Sequence, residues 1–301
     1  MKKILVIGGL GFIGKSLVEL YKDRGYLVKV TTKYHKNLSE DSFRSDYSKD
    51  SFLEIFSESV YEKIFFLSGN PYPQLSENDC NKDIERTLVP LVNAVEALKE
   101  CSYKGSFWFS SSVAVYGATD LELQRETDEC KPLSNYAVIK LAGENYLKMV
   151  SLTSKLNVGS FRIFSTFGEG LKRQIIYDLY KKCNLESNTL NLLGSGQEKR
   201  DLSYVADQAL RILLIAEKVT PKGDIFNIGS GKSITTKKLA EEILDILSLD
   251  KKIVFEDNLR QFDGYQWTAS IEKYESVVEN PISDLKKSLE KTLIGFKKNE
   301  L

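Results

Sequence analysis

The residues that decide the fold are Lys2-Lys3-Ile4-Leu5-Val6-Ile7-Gly8-Gly9-Leu10-Gly11-Phe12-Ile13-Gly14, followed by Lys15-Ser16-Leu17-Val18-Glu19-Leu20-Tyr21. The first part is a continuous apolar run, which is typical of a parallel strand buried on both faces. A glycine-rich turn follows, and the residues after the turn have a helical pattern. This order brings backbone N–H groups and a helix N-terminus to one pyrophosphate. The sequence therefore predicts a dinucleotide bound at Gly8, Gly11, Phe12, Ile13 and Gly14, with the spacing G-x-x-G-x-x-G.

Composition narrows the class of protein. The chain has 301 residues, 42 of them basic and 42 acidic, so its formal charge is balanced. A nucleic-acid-binding protein would show a basic excess or stripe, and none is present. The apolar N-terminal run is too short and too rich in glycine for a signal peptide or a spanning helix, so we expect no membrane contact. The four cysteines are widely spaced and His35 is the sole histidine, which predicts reduced thiols, no metal and a cytoplasmic location.

The second predicted strand, residues 27–33, bears on the choice of cofactor. An acid at the end of this strand usually binds a free ribose 2′-OH, whereas a basic group binds a 2′-phosphate. Here the strand ends in Thr31, Thr32 and Lys33, and no acid follows before Glu40. The sequence favours NADP(H), and NAD(H) is the alternative.

Two further segments are expected to contact the cofactor. Asp46 and Tyr47 precede a predicted helix, residues 51–57, and are placed to meet the adenine. The predicted strand 63–70 ends in small residues, as a sheet edge facing a cofactor would. Its last residues include the further candidates Leu67, Ser68, Gly69 and Asn70.

A run of hydroxyl groups ends the next apolar segment, Phe109-Ser110-Ser111-Ser112-Val113-Ala114-Val115-Tyr116-Gly117, and Tyr136-Ala137-Val138-Ile139-Lys140 lies downstream. Positions i and i+4 share one face of a helix, so Tyr136 and Lys140 are expected to point together. A cation beside a phenol lowers the phenol pKa. Such a pair can move the proton of an alcohol–ketone couple near neutral pH.

Taken together, these motifs resemble those of the extended short-chain dehydrogenase/reductase family that modifies nucleotide-linked sugars, and the resemblance runs nearly end to end. Four later segments also resemble motifs of that family. They are Arg162-Ile163-Phe164-Ser165-Thr166-Phe167-Gly168, Lys199-Arg200-Asp201-Leu202-Ser203-Tyr204-Val205, Phe226-Asn227-Ile228-Gly229-Ser230-Gly231 and Arg260-Gln261-Phe262-Asp263.

The resemblance implies an α/β fold, a Rossmann doubly wound parallel sheet with a smaller interleaved C-terminal substrate lobe. The NAD(P)-binding domain would cover residues 1–165, with returning segments near 200–228, and the lobe for the nucleoside diphosphate sugar would cover 166–301. A homodimer would form through two helices per subunit, 87–100 and 136–150.

The resemblance also implies roles for individual residues. Ser112 would orient the sugar oxygen, Tyr136 would be the acid/base, and Lys140 would hold the nicotinamide ribose. Further cofactor contacts are expected from Ser110 and Phe164. The substrate contacts implied are Asn70, Ser112, Val113, Ser165, Arg173, Arg200, Arg260 and Asp263.

The sequence departs from the family in ways that bear on the reaction. The 4,6-dehydratases of the family carry Thr-Asp-Glu where this chain has Ser112, Val113 and Ala114. Neither Val nor Ala can move a proton, so this elimination is excluded. Ser165 and Asp83 stand where asparagines are usual. These changes favour a 4-ketoreductase over the alternative, a 4-epimerase with bound NAD, and the intact Ser112, Tyr136 and Lys140 disfavour a non-catalytic dinucleotide sensor.

Overall fold

The computed structural model describes residues 2–33, 39–70, 79–119, 121–256 and 266–298. The strands are β1 (Lys3–Ile7), β2 (Leu27–Thr32), β3 (Ser42–Arg44), β4 (Lys63–Phe66), β5 (Ser106–Ser112), β6 (Asn157–Ile163), β7 (Ser165–Phe167), β8 (Thr189–Leu193), β9 (Lys199–Tyr204), β10 (Asp224–Ile228), β11 (Ser233–Thr235) and β12 (Lys252–Glu256). The α-helices are α1 (Phe12–Asp23), α2 (Lys49–Glu58), α3 (Asn81–Asp83), α4 (Val89–Glu100), α5 (Asn135–Thr153), α6 (Gln174–Cys183), α7 (Val205–Lys218), α8 (Thr236–Leu247), α9 (Glu272–Glu275) and α10 (Leu285–Lys298).

Seven parallel strands form the main sheet in the order β10-β6-β5-β4-β1-β2-β3. The order reverses between β1 and β4, and in such sheets ligands bind at the carboxyl ends of the strands beside this point. The predicted doubly wound Rossmann sheet is confirmed.

Helices cover both faces of this sheet, which explains the unbroken apolar run of β1. Leu5 and Ile7 pack into one buried cluster with residues of α2, α4 and α5. Ile4 and Val6 point the other way and pack with residues of α1 and α7. Because successive side chains of a strand alternate between faces, both sets must be apolar.

The second lobe is built from two small sheets and three helices. Strands β11, β9 and β7 form one sheet, and β12 pairs with β8 in the other. Their apolar residues share a core with α6, α8 and α10. Strand β10 returns to the main sheet between these elements in sequence, so the two parts of the chain are interleaved. The division at residue 165 stays a prediction.

Some elements differ from the sequence-based expectation. The helix predicted for 87–100 corresponds to α4, which begins at Val89. It continues a helical stretch that starts earlier, with α3 and a π-helical turn, Ile84–Leu88. Strand β3 was not predicted, because three residues carry too little periodicity. Within the described residues, no helix combines the length and apolarity needed to cross a membrane.

Candidate active site

The glycine turn between β1 and α1 makes contacts that only glycine permits. Gly8 has a φ of 83°, and a Cβ there would lie 2.9 Å from the backbone N of Ser68. A Cβ on Gly14 would lie 2.5 Å from the carbonyl oxygen of Gly8, so a side chain at either position would displace the backbone. Gly11 is the N-cap of α1, and no described side chain caps this helix. The turn and the first N–H groups of α1 therefore fit a phosphate.

Two cationic residues, Lys33 and Arg44, lie at one corner of the main sheet, the carboxyl end of β2. Thr31 and Thr32 are buried, and the hydroxyl of Thr31 has no hydrogen-bond partner among the described residues. Lys33 follows and is exposed. Arg44, on the neighbouring strand β3, pairs in register with Thr32. Sequence reasoning missed Arg44, because only the pairing of β2 with β3 brings it to this corner.

Other residues predicted at the cofactor have different surroundings. Asp46 is exposed and accepts a hydrogen bond from the N–H of Ser48, which lowers its pKa. The ring of Tyr47 is buried and stacks on Phe52, with the ring centroids 5.7 Å apart. This ring is therefore part of the core, and contact of Tyr47 with the adenine stays a prediction. The remaining predicted contacts lie at or beside the carboxyl ends of β1, β4, β5 and β6: Phe12, Ile13, Leu67, Ser68, Gly69, Ser110 and Phe164.

Ser112 ends β5 and begins a short 3₁₀ helix, Val113–Tyr116. Its hydroxyl oxygen accepts a hydrogen bond from the N–H of Ala114 at 3.2 Å. It also forms a hydrogen bond with the Tyr136 hydroxyl, which lowers the pKa of Tyr136. The backbone thus fixes the orientation of the Ser112 hydroxyl beside the phenol.

Helix α5 brings Tyr136 and Lys140 together as the spacing predicts. The helix is capped by Ser134, whose hydroxyl accepts from the N–H of Ala137 at 3.2 Å. Nζ of Lys140 donates to the carbonyl oxygen of Ser110 at 2.5 Å and lies 5.6 Å from the centroid of the Tyr136 ring. The lysine is buried, and this burial lowers its pKa to about 8.

The expected direction of the Tyr136 pKa is wrong for this structure. Removal of the phenol from water raises its pKa and outweighs the hydrogen bond from Ser112 and the charge of Arg173, both of which lower it. Tyr136 is therefore protonated at neutral pH and is placed as a proton donor.

The residues predicted to contact the substrate lie on several different elements. Asn70 is buried after β4, Val113 is buried after β5, Ser165 begins β7, Arg173 is the N-cap of α6, and Arg200 lies in β9. The charge of Arg173 acts on Tyr136, which places this arginine near the phenol. Arg260 and Asp263 lie outside the described residues.

A buried ion pair between Arg162 and Glu144 joins strand β6 to helix α5. Nε and Nη2 of Arg162 donate to the Glu144 carboxylate at 2.8–3.2 Å, and both side chains are almost fully buried. Nη1 donates to the carbonyl oxygen of Glu126 at 3.2 Å, and the guanidinium lies 4.7 Å from the centroid of the Tyr116 ring. The pair ties β6 to α5 one turn beyond Lys140, on the helix that carries Tyr136 and Lys140.

The profile of the NAD dependent epimerase/dehydratase family matches residues 4–229. The chain belongs to this family. Membership of the epimerase/dehydratase family confirms the resemblance drawn from the glycine turn and the Ser112, Tyr136 and Lys140 motifs. It also makes the protein an enzyme of an NAD-dependent family, and it leaves the particular reaction open.

Relatives in the epimerase/dehydratase family include both kinds of enzyme considered above. A dTDP-4-dehydro-6-deoxyglucose reductase of Escherichia coli is 29% identical over 269 residues, which cover 84% of each chain. An uncharacterized UDP-glucose epimerase of Bacillus subtilis is 28% identical over 95% of each chain. Among solved structures, the UDP-N-acetylglucosamine 4-epimerase from Methanobrevibacter ruminantium M1 is 25% identical, with a TM-score of 0.87 and 99% of each chain covered.

Proposed function

We propose that this protein reduces the 4-keto group of a nucleotide-linked 6-deoxy sugar with NADPH. The proposal is supported by the position of the Tyr136 hydroxyl beside Ser112, where burial raises the pKa of the phenol, because reduction of a ketone needs a proton donor at its oxygen. The neighbouring Val113 and Ala114 offer no group for the elimination of water. The similarity to a 4-keto-sugar reductase agrees with this choice.

The reaction is a balanced addition of one hydride and one proton. When bound, the cofactor supplies the hydride to C4 of the sugar. Ser112 and Tyr136 hold the carbonyl oxygen, and the proton of the Tyr136 hydroxyl goes to that oxygen as the alcohol forms. The charged Lys140 stabilises the phenolate left behind until solvent returns its proton.

The preference for NADPH rests on the corner at the end of β2. Lys33 and Arg44 flank Thr32 there, and the described residues after β2 include no acid before Glu40. A 2′-phosphate would gain two cationic neighbours at this corner, and β2 itself ends without the acid that usually binds a free 2′-OH.

The second candidate is a nucleotide-sugar 4-epimerase that retains NAD. It is favoured by the similarity to the Bacillus and Methanobrevibacter epimerases over 95% and 99% of the chain. An epimerase oxidises C4, lets the ketone turn and reduces it from the other face, so it consumes no external cofactor. The two candidates therefore differ in a measurable way.

The test is turnover of keto sugars by the purified protein. With NADPH and a panel of TDP-, CDP-, GDP- and UDP-linked 4-keto-6-deoxy sugars, we expect loss of the reduced-nicotinamide absorbance with at least one substrate, and weaker activity with NADH. Protein that purifies with bound NAD and interconverts UDP-sugars without net oxidation would replace the reductase proposal by the epimerase. Absence of turnover with every keto sugar in the panel would contradict the reductase proposal.

We also propose a homodimer built on α4 and α5. Four apolar side chains on these helices, Val89, Val138, Met149 and Leu152, are 44–79% exposed. Such a patch on two neighbouring helices is typical of a covered interface. We expect sedimentation to give a dimer, and the double variant Val138→Glu/Met149→Glu to give monomers, whereas Leu185→Glu, an exposed leucine elsewhere, should not. A wild-type monomer would contradict the proposal.

A further inference from the structure

Asp83 is a buried carboxylate that the proposed reaction does not use. It ends α3 and has no solvent exposure. Oδ1 accepts a hydrogen bond from Nδ2 of Asn70 at 2.8 Å, and Oδ2 is buried without a hydrogen-bond partner among the described residues. A buried carboxylate is costly unless a cation compensates it. We therefore expect a positively charged group close to Asp83.

The corner formed by Gly69 and Asn70 connects Asp83 with Lys140. Thr87, one turn after Asp83, accepts a hydrogen bond at its hydroxyl oxygen from the N–H of Asn70 at 3.3 Å. A Cβ on Gly69 would lie 3.2 Å from that oxygen and 3.4 Å from Nζ of Lys140. Because Gly69 has no side chain, the lysine ammonium reaches this corner, beside the turn that carries Asp83.

The charges around Lys140 identify Asp83 as its main compensating group. Burial lowers the Lys140 pKa, and the carboxylates of Asp83 and Glu144 raise it. The negative charge of Glu144 is already compensated by Arg162, which donates to the carboxylate through Nε and Nη2. Tyr136, on the same helix, is protonated and brings no charge. Asp83 is thus the facing carboxylate without a cation of its own in the described part of the chain.

We propose that Asp83 is a positioning residue that keeps Lys140 protonated at neutral pH. The proposal rests on the proposed function in one respect: a charged Lys140 stabilises the phenolate formed when Tyr136 gives up its proton. In a low-dielectric site an opposite charge favours the charged form of its neighbour. Loss of the Asp83 charge would let Lys140 become neutral within the working pH range.

The variant Asp83→Asn removes the charge and keeps the shape, since an amide oxygen still accepts from Asn70. The probe is a titration of ¹³Cε-lysine resonances by NMR, with the Lys140 signal assigned through Lys140→Arg. In the variant we expect the Lys140 midpoint to fall by about one pH unit from its wild-type value near 8. Reductase turnover should be nearly unchanged at about pH 6 and roughly tenfold lower at about pH 9, because at pH 9 the protonated fraction of Lys140 in the variant is about one tenth of that in the wild type.

Glu85→Gln is the matched control, because Glu85 is an exposed acid two residues from Asp83 on the π-helical turn. It should leave both the Lys140 midpoint and the pH profile unchanged. A folded Asp83→Asn protein with an unshifted Lys140 midpoint overturns the proposal. A wild-type Lys140 that titrates below about pH 7 overturns it without any Asp83 variant. The NMR measurement needs no substrate, so its result stands even if the keto-sugar panel gives no turnover.

Discussion

Replacement of Tyr136 by phenylalanine lowers turnover by about 10²–10⁴-fold, the usual contribution of a general acid. The variant loses the hydroxyl that is hydrogen-bonded to Ser112 and keeps the ring that lies 5.6 Å from Nζ of Lys140. Cofactor affinity should therefore change little. The measurements are kcat with the keto sugar that wild-type protein reduces, and the fluorescence titration of NADPH.

Tyr146→Phe is the control, since Tyr146 lies on the same helix and its hydroxyl donates to Glu96 at 2.8 Å, away from the Ser112 hydroxyl. It should keep kcat close to that of the wild type. If Tyr136→Phe retained full activity, Tyr136 would not be the proton donor, and the mechanism given for both the reductase and the epimerase would fail. The non-catalytic dinucleotide sensor would gain only if the wild-type protein turned over none of the sugars tested.

Arg162→Met is expected to lower the free energy of unfolding by about 3–5 kcal/mol. Glu144 is 1% exposed and receives the Nε and Nη2 hydrogen bonds of Arg162, so the variant leaves a buried carboxylate without its cation. Urea denaturation near pH 7, followed by circular dichroism, measures the change. The double variant Arg162→Met/Glu144→Met should recover most of the loss, because both buried charges are then removed together.

An exposed ion pair provides the comparison for this loss. Nζ of Lys286 lies 2.6 Å from Oδ2 of Asp245, and the two side chains are 49% and 67% exposed. Because water screens such a pair, Lys286→Met should lower the free energy of unfolding far less than Arg162→Met does. A loss from Arg162→Met as small as that from Lys286→Met would show that Glu144 finds another partner or is readily hydrated.

The local patterns in the sequence were enough to predict the first strand, the turn after it and the proximity of Tyr136 to Lys140. The apolar run of β1 requires burial on both faces, and the glycine spacing after it permits a tight turn into α1. Tyr136 and Lys140 are one helical turn apart, so their proximity follows from helix geometry alone. These features depend on neighbours in sequence, which is why the structure confirms them.

Features that depend on distant pairing could not be predicted. Arg44 reaches the cofactor corner only because β3 pairs with β2. The direction of the Tyr136 pKa depends on how much water the assembled fold removes from the phenol, which no spacing reveals. The role proposed for Asp83 likewise depends on the absence of a side chain at Gly69, on a different segment of the chain.

The late return of β10 to the main sheet has a consequence for folding of the chain. Strand β10 pairs with β6, yet β7, α6, β8, β9 and α7 are synthesised between them. Until Asp224–Ile228 has emerged from the ribosome, the outer edge of β6 has unpaired backbone groups that can recruit another strand. Pairing β10 with β6 closes a long loop of chain. The conformational entropy lost in closing it is offset only once the contacts between the two strands have formed. The main sheet of a nascent chain is therefore completed only after β7, α6, β8 and β9 of the second lobe have been made.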